Sequence, residues 1–130
     1  TDVLHGALTL IPLGRVLLVR KRNTAFFMQP GGKIEAGERP ATALVRELHE
    51  ELQMQVVEQD AAFLEQFTDI AANESGYRLI ADVFAVPAPA HIVTASAEIE
   101  DVIWLSPSAS ESIPLAPLTQ KQLLPLLMKA

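Results

Sequence analysis

Apolar residues along the chain fall into short runs divided by glycine, proline and polar clusters. Residues 3–11 and 15–20 read as two strands, and Pro12-Leu13-Gly14 between them predicts a hairpin turn. Gln29-Pro30-Gly31-Gly32 predicts an irregular loop. The period then changes. Ala41, Leu44, Val45, Leu48 and Leu52 recur at helical spacing behind Pro40, which suits the first position of a helix. Arg39 stands where Ser, Thr or Asp usually caps such a helix. Further on, residues 54–57 and 63–68 predict strands, Asn73-Glu74-Ser75-Gly76 a turn, and 77–86 a long strand. Residues 87–90 form a Pro/Ala surface connection, and 99–105, with the single Trp104, a last strand. A closing helix is expected over 119–128, where Leu123, Leu124, Leu126 and Leu127 can pack and Pro125 strains the interior. Strands before, between and after two helices predict an α/β or α+β layered domain around a mixed sheet. The length fits one domain, residues 1–130.

Composition narrows the function classes. With no cysteine there is no disulfide framework and no thiolate ligand or nucleophile. No apolar run approaches the roughly 18 residues of a membrane span. Thr1-Asp2-Val3-Leu4-His5 lacks the basic and apolar regions of a signal peptide, and the missing initiator Met suggests a trimmed start, so a cytoplasmic protein is expected. Lys plus Arg number 10 against 16 Asp plus Glu, a net charge of -6. Polyanions are held by clustered Lys and Arg, so neither a nucleic acid polymer nor a membrane is an expected partner.

The excess acid is concentrated. With Glu47 at 0° on a helical wheel, Glu50 falls at about 300° and Glu51 at about 40°, within one arc of about 100°. Leu44, Leu48, Ala41, Leu52 and Val45 fill the adjacent sector from about 60° to 160°. The three carboxylates therefore flank the expected buried stripe, and half of the net charge rests on one helical face. Like charges at these spacings repel by a few tenths of a kcal/mol per pair even when exposed, and shielding makes this worse. A hard divalent cation such as Mg²⁺, which takes oxygen ligands, would neutralise them. Arg46, at about 260°, can hold Glu50 on the i,i+4 diagonal. Gly31-Gly32 lets the backbone approach the carboxylate face, with Gly32 able to offer a carbonyl, and Lys33 adds charge for a phosphate oxygen.

An acidic helix face is ordinarily just solvated. The joint spacing argues otherwise. Gly32, five residues, Glu38, seven residues and Arg46-Glu47-Leu48-His49-Glu50-Glu51 resembles the Nudix box, here residues 32–54. With each fixed residue used at roughly 5–7%, a chance match at one start is on the order of 10⁻⁸. The resemblance implies a Nudix hydrolase: an α/β/α sandwich around a mixed sheet, with the box as loop–helix–loop. It implies Mg²⁺- or Mn²⁺-dependent hydrolysis of a nucleoside diphosphate linked to another group. Glu47, Glu50 and Glu51 match the metal-binding carboxylates and Gly32 the carbonyl ligand, while Arg46 and Glu38 match supporting positions. Lys33, Arg20 and Glu38 are the expected substrate contacts, and homodimers are frequent in the family. One departure stands out: the box position usually held by Gly, in the turn leaving the helix, holds Gln53, which must take a costlier backbone conformation or turn differently.

The general base is open between Glu50 and a carboxylate just before the last strand, where Glu98 is favoured over Glu100 and Asp101 as the farthest from the strand. His5 and His91 have no partner at ligand spacing, and His49, near 200°, points away from the trio. Phe26, Phe27 and Tyr77 are core residues by expectation, although a nucleobase could stack on them. Markers of ADP-ribose or dinucleotide specificity downstream of the box are missing, since Asp69 and Ile70 stand where a Pro would. The C-terminal amides are Gln120 and Gln122 alone. The Pro-Gly-Gly-Lys-Ile-Glu opening resembles small triphosphate-directed members, so a nucleoside triphosphate is the expected substrate. ADP-ribose or nucleotide-sugar cleavage, or a silent nucleotide-binding module, are the alternatives.

Overall fold

The computed structural model describes residues 3–10, 15–70, 78–87, 93–106, 113–117 and 119–125, and of residues 3–10, 69–70 and 122–123 the backbone alone. Its elements are β1 (Val3–Leu10), β2 (Val16–Lys21), β3 (Gly31–Lys33), α1 (Pro40–Leu52), β4 (Ala62–Ile70), β5 (Arg78–Ala85) and β6 (Ile99–Leu105). Four strands form a sheet in the order β3-β1-β5-β4, and β2 pairs with β6 in a second sheet. Of the described strand pairs, β1 with β5 is parallel and the other three are antiparallel. The sheet is mixed, as the element order predicts.

The expected hairpin between the first two strands does not form. β1 has β3 on one edge and β5 on the other, so no edge is left for β2, which lies in the other sheet. Gly31-Gly32 is not an irregular loop either. Both glycines are in β3, where Gly31 and Gly32 stand opposite Leu8 and Ala7. Gly31 has φ +148°, which side-chain-bearing residues rarely adopt, so this strand can start here only on glycine. Residues 54–57, expected as a strand, join no sheet and lead into one 3₁₀ turn, Glu58–Asp60. Their alternation records packing under α1: Met54 is buried in the core, while Val57 is exposed. The strands expected over 63–68, 77–86 and 99–105 appear as β4, β5 and β6. The C-terminal helix starts at Thr119 as a π-helical segment to Leu123, and Pro125 lacks the N–H that would close an α-turn onto Lys121. The turn at 73–76, most of the 87–90 connection and residues 126–128 lie outside the described residues.

Packing makes three layers. Leu17 and Val19 of β2 join Leu44, Leu48 and Leu52 of α1, with Phe84, Val86 and Ile99, in one cluster. Val16 and Leu18 of the same strand join Ala81, Val83, Leu105, Leu115 and Leu124 in a second. A strand buried on both faces needs a continuous apolar run, and Val16-Leu17-Leu18-Val19 is one. α1 thus covers one face of the strand layer and the C-terminal segment covers the other, an α/β sandwich.

The ends of α1 are held without the usual caps. At the start no side chain caps the Arg39 position. Instead Arg39 pairs with Glu58 at 2.6 Å, and the Thr42 hydroxyl donates to the same carboxylate at 3.1 Å. At the end Gln53 adopts φ 55°, ψ 30°, the left-handed conformation that the box glycine would supply. Its N–H bonds the His49 carbonyl at 3.0 Å, and the Met54 N–H bonds that of Leu48 at 3.2 Å. The turn is kept, and Gln53 takes the strained conformation.

Candidate active site

Mid-helix, Glu47 lies directly against β3. A Cβ built on Gly32 would stand 2.3 Å from the Glu47 carboxyl carbon and 2.6 Å from each of its oxygens. A side chain fits there only if the Glu47 carboxylate swings away. Glycine permits this close approach, and the Glu47 carboxylate rests on bare backbone.

Arg46 organises the surrounding acids. Its Nε and Nη2 donate to the two oxygens of Glu38 at 2.8 and 3.0 Å, a bidentate pair. Nη1 donates to Glu47 at 2.8 Å, and Nη2 also reaches the Lys33 carbonyl at 3.1 Å. Glu50, which the i,i+4 diagonal places within reach of Arg46, is farther away at 3.7 Å. The Arg46 pairing holds the Glu38 carboxyl down at about 2. Glu38 in turn accepts the Glu35 N–H at 3.0 Å, closing the loop ahead of α1, so its place is structural support for the box.

Glu51 points inward, beyond what a flanking position implies: it is 2% exposed. One oxygen accepts a long hydrogen bond from the Gly31 N–H at 3.4 Å, and the other is buried with no partner among the described residues. Burial raises its carboxyl to about 8 against the opposing pull of Lys21. Glu47 is raised as well, mainly by burial, with Arg46 pulling the other way. Glu50, at 53% exposure, faces solvent beside them. Among the described residues no three acidic or histidine side chains already converge as a metal cage. The donor set nevertheless fits a hard divalent cation: the buried Glu51 carboxylate with an orphaned oxygen, the half-buried Glu47 carboxylate paired on one side with Arg46, and the Glu50 carboxylate at the rim. Glu47, Glu50 and Glu51, with the Gly32 carbonyl, are the groups that would hold it.

Glu98 is brought to the edge of this site. Its carboxylate pairs with Lys21 Nζ at 3.3 Å, and its charge is one of those felt by Glu51. Asp101 is engaged elsewhere: Arg20 Nε and Nη2 both donate to its Oδ2, and Arg20 Nη1 donates to the Thr24 carbonyl at 2.9 Å. Arg20 therefore has a cross-strand task opposite Asp101, not a free guanidinium for substrate. Lys33 is exposed beside the box and His49 is exposed on the far side of α1. Lys21 escaped the sequence reading. Its signal was available, since Leu17, Val19 and Lys21 alternate onto the face of β2 that meets α1. Ser96, whose hydroxyl donates to the Glu50 carbonyl, gave no such signal.

Solved structures share this architecture. The E. coli ORF135 protein superposes with TM-score 0.76 at 26% identity, covering 99% of this chain and 91% of that one. The MutT protein from Methanosarcina mazei Go1 gives 0.81 at 20% identity, covering 99% and 95%. The E. coli dihydroneopterin triphosphate pyrophosphohydrolase gives 0.74 at 18% identity over the full length of both chains. No curated protein matches by sequence. The family model described as NUDIX domain matches residues 6–127. With the box carboxylates on α1, the glycine they rest on and nearly the whole chain matched, the protein belongs to the NUDIX domain family.

Proposed function

We propose that this Nudix-type pyrophosphohydrolase acts on a nucleoside triphosphate, releasing a nucleoside monophosphate and pyrophosphate with Mg²⁺ or Mn²⁺. The observation that carries the reading is the Glu51 carboxylate, buried with one oxygen unpartnered beside Glu47. A protein retains so costly an arrangement where a cation completes it. A divalent cation bound there would screen the charge of the diphosphate and acidify a water molecule.

The chain's own residues divide the remaining work. Glu47, Glu50 and Glu51 bind the cation, with Glu47 fixed by Arg46 and by the bare backbone of Gly32. Arg46 and Glu38 lock the box loop, which carries Lys33 toward the phosphates. Glu98 takes the proton of the attacking water; it is 62% exposed and held beside the site by Lys21. The triphosphate preference is supported by the Pro30-Gly31-Gly32-Lys33-Ile34-Glu35 opening of the box, which resembles that of small triphosphate-directed members. It is supported also by the name of one full-length structural neighbour, itself a triphosphate pyrophosphohydrolase.

The test is product analysis with a panel of nucleoside triphosphates, ADP-ribose and nucleotide sugars, each with and without Mg²⁺. Pyrophosphate and monophosphate from a triphosphate, dependent on the cation, are expected. Turnover confined to ADP-ribose or a nucleotide sugar would replace the substrate assignment. Tight binding with no turnover of any compound would replace the enzyme by a binding module.

A further inference from the structure

The last four carbonyls of an α-helix have no intrahelical partner, and something outside must satisfy them or they face water. In α1 the Gln53 N–H takes the first of these, that of His49, and one loop covers the other three, on the carboxylate-bearing Glu50 and Glu51 and on Leu52. The Ser96 hydroxyl donates to the Glu50 carbonyl, the Ser96 N–H to the Glu51 carbonyl at 2.9 Å, and the Thr94 N–H to the Leu52 carbonyl at 3.3 Å. Ser96 also begins a tight turn, its carbonyl accepting the Ile99 N–H at 3.1 Å before β6 starts. Inside that turn Ala97 has φ +54° while Glu98 does not share the positive φ, an arrangement that usually places glycine at the first central position. The Glu98 carbonyl is tied separately to the Arg22 N–H at 2.9 Å.

We propose that Ser96 and the left-handed Ala97 are positioning residues that fix Glu98 relative to the cation-binding carboxylates. Ser96 bonds the backbone of Glu50 and Glu51 through two donors, so the helix and the turn move as one body. Ala97, restricted by its Cβ, narrows the directions that the turn can give to the next side chain. A glycine would fit that backbone with less strain but would let the turn flex. The inference rests on the proposed role of Glu98 as the base.

The test combines Ser96→Ala, Ser96→Thr, Ala97→Gly and Glu98→Gln, measured with the Mg²⁺-loaded protein on whichever nucleotide it turns over. Ala97→Gly should raise the Tm by a few degrees yet lower kcat about tenfold with KM unchanged, a split that a purely structural role does not give. Ser96→Ala should lower kcat by a similar factor, and Ser96→Thr, which keeps the hydroxyl, should recover most of it. In the Glu98→Gln background both effects on kcat should vanish, because the residue they aim is gone. The inference is overturned if Ala97→Gly leaves kcat unchanged, or if the losses persist undiminished in the Glu98→Gln background. Those outcomes differ from failure of the proposed function, in which the wild-type protein turns over no nucleotide.

Discussion

At the scale of single residues, the site is governed by how closely Glu47 and Glu51 lie against the backbone of β3. Gly32→Ala would drive a methyl group into the Glu47 carboxylate, which must then swing away from the place where Arg46 holds it. Displacing a catalytic group by about 1 Å costs on the order of 10²-fold in turnover, so steady-state kinetics should show that loss with the far-UV circular dichroism unchanged. Glu51 predicts a pH dependence whose sign can be worked out. Its folded-state value of about 8 lies above the ordinary 4.5, so the metal-free fold binds the proton more tightly than the unfolded chain does. The stability it contributes is complete below pH 4.5 and falls between there and pH 8 by roughly 1.4 kcal/mol per pH unit. Denaturant melts of the metal-free protein should show this slope, and Glu51→Gln should flatten it. Glu38 acts in the opposite direction: with its carboxyl at about 2, the stability it contributes is present above its ordinary 4.5 and is lost as acid approaches pH 2. The carboxylate trio and its arginine were legible in the sequence because helical spacing fixes relative angle. The depth of Glu51 was not, because the helical wheel gives a direction and says nothing of how closely β3 approaches.

Among the elements, α1 is the one on which the account depends, and its ends explain both its success and its departure from pattern. Leu44, Leu48 and Leu52 are fully buried and bind the helix to the strands. Leu48→Ala should cost about 2–5 kcal/mol by the lost burial and the cavity left behind. Gln53 sits in the left-handed region at φ 55° while keeping both capping hydrogen bonds. Gln53→Gly should therefore stabilise the protein by about 1 kcal/mol without altering turnover, a difference that chemical denaturation resolves. Periodicity located α1, β4, β5 and β6 because each buries a face with its own period. It failed where pairing partners decide. β1 has both edges taken by strands distant in sequence, so the short connection to β2 could not make a hairpin. β3 was hidden because its two glycines signal a turn locally, whereas here they serve a bare strand surface against Glu47.

For the whole molecule, the layered fold brings three separate stretches of sequence to one place: the glycine strand β3, the acidic helix α1, and the Ser96–Glu98 turn before β6. Among the described residues no helix is long and apolar enough to cross a membrane. The net charge of -6 acquires a local meaning, since the buried and half-buried acids lie where Arg46 and Lys21 supply only part of the counter-charge. A cation would complete the balance, and a polyphosphate substrate could then enter an acidic site with it. The most direct measurement is Mg²⁺-dependent pyrophosphate release by the wild-type protein and by Glu51→Gln, with the fold of each checked by thermal melting. The account predicts turnover by the wild-type protein only with the cation, and a loss on the order of 10³-fold in a variant that is at least as stable when metal-free. Turnover by Glu51→Gln at the wild-type rate would contradict it.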